Sequence, residues 1–103
     1  MAWALFACAL LYFPSLLPAS AKTLHVTIDK VGYRDIPSGA QVGDTLEWSN
    51  LDFVAHTATA RDGSFDVELM PGKSGLALLR HSGKIPFYCR YHPTMVGEII
   101  VAP

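Results

Sequence analysis

Cysteine is nearly missing from this chain, which has two in 103 residues, Cys8 and Cys89. Charge is missing from its first 21 residues, which contain no Asp, Glu, Lys or Arg. The apolar run Ala2–Leu17, followed by Ala19-Ser20-Ala21 before Lys22, fits the hydrophobic region and small-x-small cleavage site of a signal peptide, although no Lys or Arg precedes the run. A retained membrane anchor is the rival reading. Spanning a bilayer takes about 20 apolar residues, and this segment is shorter and contains Pro14 and Pro18. Leu5-Phe6-Ala7-Cys8 lies too near the start to leave a lipoprotein-type hydrophobic region. The expectation is a signal peptide over 1–21, a single domain over 22–103, and a periplasmic or otherwise exported product with no stable membrane insertion after cleavage. That domain holds one thiol, which excludes an intrachain disulfide in a compartment where disulfides persist. Eight basic residues against nine acidic ones give a net charge of −1. With no basic run, nothing in the sequence supports nucleic-acid binding. No internal repeat, low-complexity stretch or second domain interrupts the chain.

Alternation of apolar and polar residues begins at Thr23. Leu24, Val26 and Ile28 share one face and Thr23, His25 and Thr27 the other, the period of a half-buried strand. After the Gly43-Asp44 turn, Leu46 and Trp48 alternate with Thr45 and Glu47 until Asn50-Leu51-Asp52. Further strands are expected over 56–60, 64–67, 75–80, 85–89 and 96–101, separated by Gly63, Pro71-Gly72 and Ser82-Gly83. This spacing predicts an all-β protein, a sandwich or barrel of about seven or eight strands. Trp48, Phe53, Phe65 and Phe87 are expected in its core, and Tyr91 nearer the surface.

What is present near the C-terminus is Cys89-Arg90-Tyr91-His92-Pro93-Thr94-Met95, a thiol, an imidazole and a thioether with two residues between each. His56 supplies a second imidazole upstream. One Cys and two His in a plane with a weak axial Met describe a blue-copper electron-transfer site. Soft sulfur suits Cu(I), imidazole suits Cu(II), and the combination accommodates both without large rearrangement. Cys89 binds as thiolate, and ligation would also protect a lone thiol in an oxidising compartment. Each residue has a plainer reading: Cys89 as an inert core thiol, His92 as a loop histidine, Met95 as gap filling, His56 as a strand residue. His25 and His81 read as solvated, and Met70 as a packing residue at the Pro71-Gly72 turn.

The stretch Gly83 to Val101 resembles the C-terminal copper-binding end of the cupredoxins. Its two-and-two ligand spacing is similar to the short loop of amicyanin, not to the longer loops of plastocyanin, pseudoazurin or azurin. The resemblance extends to Val42-Gly43-Asp44-Thr45-Leu46-Glu47-Trp48, to Phe53–Thr57 and to Phe65–Gly72. It implies a Greek-key β-sandwich with one type 1 copper ion per chain, held by His56, Cys89, His92 and Met95. The implied function is an electron carrier, not an enzyme: a monomer serving a redox donor and acceptor, of dehydrogenase or cytochrome type, that dock transiently near His92, Pro93 and Thr94. It also implies a reduction potential that rises as pH falls, through protonation of His92 in the reduced form. One departure stands out. Amicyanin and plastocyanin have an Asn after the first His, tying the ligand loops together, where this chain has Thr57. From other classes come two competing readings: a periplasmic Cu(I) carrier or chaperone using the same residues, and a β-sandwich interaction domain whose metal-like residues are accidental.

Overall fold

The computed structural model describes residues 21–103, so the signal peptide expected over 1–21 lies, apart from Ala21, outside the described residues. Nine strands run along these residues: β1 (Thr23–Ile28), β2 (Tyr33–Arg34), β3 (Ala40–Gln41), β4 (Thr45–Asn50), β5 (His56–Ala60), β6 (Asp66–Leu69), β7 (Ser74–Leu78), β8 (Gly83–Tyr88) and β9 (Val96–Ala102). One sheet has the order β2-β1-β4-β7 and the other β3-β9-β8-β5-β6. The all-β architecture is the one the alternation predicts, and of sandwich and barrel the structure shows two sheets. The count exceeds seven or eight because β2 and β3 are two residues each, too short to carry a period.

Local chemistry accounts for the strand edges. β6 starts two residues later than expected because Ser64 belongs to a turn, its amide donating to Asp62 Oδ1 at 2.8 Å. Within that turn the Gly63 amide donates to the Ala60 carbonyl, and Gly63 takes φ 80°, which its missing Cβ permits. In β1, Val26 and Ile28 are buried while His25 faces solvent, opposite Glu47 of β4.

The β1–β4 and β3–β9 pairs are parallel and the remaining pairs antiparallel. Parallel neighbours cannot be joined by a tight hairpin. The chain therefore reaches β4 from β1 by way of β2 and β3, and after β4 it forms β5 and β6 in the second sheet before returning to the first as β7. This crossing sets β5 beside β8 with Thr59 opposite Tyr88 and Ala60 opposite Phe87. Antiparallel pairing in that register carries the start of β5, where His56 sits, to the end of β8, where Cys89 follows.

Beneath this pole the sheets close on an aromatic cluster. The Trp48 and Phe87 rings meet edge to face at 5.0 Å between centroids, Tyr33 meets Phe87 edge-on at 4.7 Å, and Phe65 tilts against Trp48 at 5.7 Å. Such pairs contribute about 0.5–1.5 kcal/mol each beyond their burial. Phe87 lies so close to β9 that a Cβ at Gly97 would stand 2.5 Å from its ring, so only glycine fits opposite it. Phe53 corrects the sequence reading, being 99% exposed rather than in the core. β4 ends at Asn50, and the bend that follows breaks the alternation that would have turned Phe53 inward. Met70 also differs: it is half-exposed on its turn instead of packed beneath it.

Candidate metal centre

His56, Cys89 and His92 converge at this pole, their donor atoms all within 4.8 Å of one another. Each arrives by a different route. His56 opens β5 and is fully buried. Cys89, also fully buried, is the first residue past β8. His92 and Met95 lie in the loop to β9, which is folded back on itself: the Met95 amide donates to the His92 carbonyl at 2.8 Å and the Cys89 amide to the Met95 carbonyl at 3.0 Å. Met95 is buried against the cluster, whereas His92 is partly exposed and Pro93 and Thr94 lie at the surface.

The two imidazoles present the same atom inward. Cys89 Sγ lies 3.8 Å from His56 Nδ1 and 3.7 Å from His92 Nδ1. Bonds of about 2.0 Å to nitrogen and 2.3 Å to sulfur, at about 120° on a shared first-row ion, place such donors about 3.7 Å apart. On the far side of the ring, His56 Nε2 is 2.8 Å from Asp52 Oδ2. An ionised carboxylate only accepts, so Nε2 carries the proton and Nδ1 is left with a free lone pair toward the sulfur. Carboxylate, imidazole and metal in line are a recurring arrangement in metalloproteins. The donor set thus fits a metal by distance, by protonation and by chemistry, and two imidazoles, a thiolate and a nearby thioether are the set expected of type 1 copper.

Electrostatics favour the thiolate. Burial pushes the Cys89 thiol up, but the Thr57 amide, donating to Sγ at 3.3 Å, together with His92, His56 and the Tyr91 amide, brings it down to about 6. Below the site Tyr33 donates its hydroxyl to the Thr57 carbonyl. Burial, and secondarily the charge of Cys89, holds that phenol above its ordinary value.

Thr57 does the work of the missing Asn. Its Oγ1 accepts from the Arg90 amide at 2.9 Å, joining the start of β5 to the loop after Cys89. The same hydroxyl lies 2.9 Å from Thr59 Oγ1, which donates to Asp66 Oδ1 at 2.7 Å, and that oxygen also accepts from Arg90 Nε at 3.2 Å. The circuit begins and ends on Arg90.

Sequence reasoning singled out the four clustered residues and Thr57 but missed Asn50 and Asp52, which hold the loop around His56. Asn50, buried, donates Nδ2 to the Val54 carbonyl at 2.9 Å and the Leu69 carbonyl at 3.0 Å, and accepts from the Asp52 amide. It pins the loop before His56 to the end of β6. Asp52, four residues before a histidine, was a legible signal read only as a strand end. His25 and His81 stay exposed and away from the centre, as expected.

No family model and no curated protein matches the sequence. Solved structures do match it. A reduced Cu(I) amicyanin at pH 4 with a proline-to-glycine substitution has TM-score 0.66 and 22% identity, covering 77% of this chain and 81% of that one. A reduced amicyanin with a proline-to-phenylalanine substitution gives the same values. A Cu(I) amicyanin with a methionine-to-alanine substitution gives TM-score 0.66 and 21% identity over the same shares. With its two sheets in register and His56, Cys89, His92 and Met95 gathered at one pole, this chain has the cupredoxin fold of amicyanin.

Proposed function

We propose that this protein is an exported carrier of single electrons, with one type 1 copper ion bound per chain. The observation that carries the proposal is the gathering of one Sγ and two Nδ1 atoms within 4.8 Å. Copper supplies a one-electron couple that these donors suit in both oxidation states. His56, Cys89 and His92 would hold it, with Met95 completing the donor set. Four ligands from the chain leave no open position for a substrate, which supports a carrier over an enzyme.

The chain's part is to hold those donors still. Full burial of His56 and Cys89 excludes water. Thr57 joins the two ligand segments, so the donors keep their places when the charge at the centre changes. His92, the partly exposed ligand, is the route by which electrons pass to a partner. Around this pole Leu51, Phe53, Val54 and Met70 are exposed, and Asn50 gathers their loops by bonding the Val54, Leu69 and Met70 carbonyls. With Pro93 and Thr94 they offer an uncharged docking surface for a redox protein of dehydrogenase or cytochrome type. Contacts of that kind are small and transient, typically below about 1,200 Å².

A visible spectrum of the Cu(II)-loaded protein tests the reading. The expected result is an intense thiolate-to-copper band that bleaches on reduction, returns on reoxidation, and is lost in Cys89→Ser. Bound copper without that band would favour a Cu(I) carrier, and an unchanged spectrum in Cys89→Ser would remove Cys89 from the site.

A further inference from the structure

Behind His56 lies an arrangement that the ligand set alone does not require. The Asp52 carboxylate is only 14% exposed, and both its oxygens are committed. Oδ2 accepts from His56 Nε2 at 2.8 Å and from the Val31 amide at 2.9 Å, and Oδ1 accepts from the Lys30 amide at 2.8 Å. Those two amides come from the centre of the turn between β1 and β2, closed by the Asp29 amide donating to the Gly32 carbonyl at 3.0 Å. Lys30 and Val31 each have φ 53°. Two consecutive left-handed residues at a turn normally call for Asn or Gly, and a β-branched residue in that region is an outlier. Such strain persists where the surroundings over-determine it, and it gathers at functional sites. What this turn accomplishes is to aim two successive amides at one anion, as backbone concavities do for bound anions. Here the anion is the side chain that meets the back of His56.

We propose that Asp52 is the positioning residue of the metal centre: cradled by the strained Lys30-Val31 turn, it fixes His56 as the Nε2–H tautomer with Nδ1 facing Cys89. The proposal rests on the copper reading above and extends it to the residues that set the properties of the ion. A carboxylate behind a ligating imidazole strengthens that imidazole as a donor. Stronger donation favours Cu(II) over Cu(I), so Asp52 lowers the reduction potential. A purely structural Asp52, serving only to link the two loops, would affect stability without setting the tautomer or the potential.

The test uses the whole chain, first copper-free. Long-range ¹H–¹⁵N correlation spectra should show His56 as a single Nε2–H tautomer in the wild type. An Nδ1–H tautomer or a mixture overturns the proposal, whether or not any variant folds. Asp52→Asn can turn its amide NH2 toward His56 Nε2, and should shift the ring toward Nδ1–H. Loaded with copper, that variant should bind Cu(II) about 10- to 100-fold more weakly, the usual effect of losing such a partner, with a smaller loss for Cu(I). Each tenfold difference between the two losses raises the potential by about 59 mV. A blue wild type whose Asp52→Asn variant keeps its affinity and potential overturns the positioning role alone. A wild type with no thiolate-to-copper band overturns the copper reading, and this proposal with it.

Discussion

Two influences oppose each other at Cys89. Burial disfavours the thiolate, while the Thr57 amide and the neighbouring imidazoles favour it and bring the thiol to about 6. A group whose value falls on folding adds stability that is complete above its unfolded value, near 8.5 for a thiol, and is lost as pH drops through the folded one. The copper-free protein should therefore resist urea better as pH rises from about 6 toward about 8.5, and Cys89→Ser should flatten that climb. Thr57 is the second decisive residue. Replacing it with Val keeps the shape but leaves the Arg90 amide without an acceptor, which should destabilise the fold by about 1–3 kcal/mol. Thr57→Ser should recover most of this in denaturant titrations.

Among the elements, β8 and β9 meet with no room to spare at one point. Phe87 is fully buried and occupies the space above Gly97. Gly97→Ala would put a methyl 2.5 Å from a ring carbon held on every side by Tyr33, Trp48 and Phe65, so β9 must move. Overpacking of this kind costs about 1–3 kcal/mol, and the loss should appear as a lower thermal midpoint. The displacement would also disturb Met95, immediately before β9, so the copper-loaded variant should show an altered spectrum. Gly97→Ala combined with Phe87→Leu should regain part of both.

For the molecule as a whole, a buried carboxylate clamps segments that are distant in sequence. Asp44 is fully buried and accepts from the Lys22 amide at 3.0 Å, Lys22 Nζ at 2.7 Å and the Gln41 amide at 2.9 Å, fastening the chain ahead of β1 to the turn between β3 and β4. The Lys22 ammonium and amide, aided by Gln41, hold its carboxyl below the ordinary value against the opposing effect of burial. Asp52 is held low as well, first by the Val31 amide, with burial opposing and His56 and Lys30 assisting. Stability from such groups is present above the ordinary carboxylate range, near 4, and disappears as pH falls through the lower folded values. Acid unfolding followed by Trp48 fluorescence should therefore begin below about pH 4, and Asp44→Asn should be less stable than the wild type at neutral pH yet lose less on acidification.

Alternation of period two is local information, and it was enough to read an all-β sandwich or barrel and to place most of its strands. The ligand types were equally legible, because Cys89, His92 and Met95 share one short loop whose spacing is written in the chain. His56 was readable only through its local context. The sequence could not reveal which neighbours meet across the crossing between sheets. That Thr57 reaches Arg90 and that a turn at Lys30-Val31 cradles Asp52 depend on segments 21 to 33 residues apart in the chain. Phe53 and the two-residue strands β2 and β3 were misread or unseen because a bend or a very short pairing leaves no period. Composition and spacing determined the fold class and the donor atoms, since these rest on side-chain type and local repeat. Packing alone decided how the donors are aimed, protonated and held, since those properties arise from contacts that only the folded chain makes.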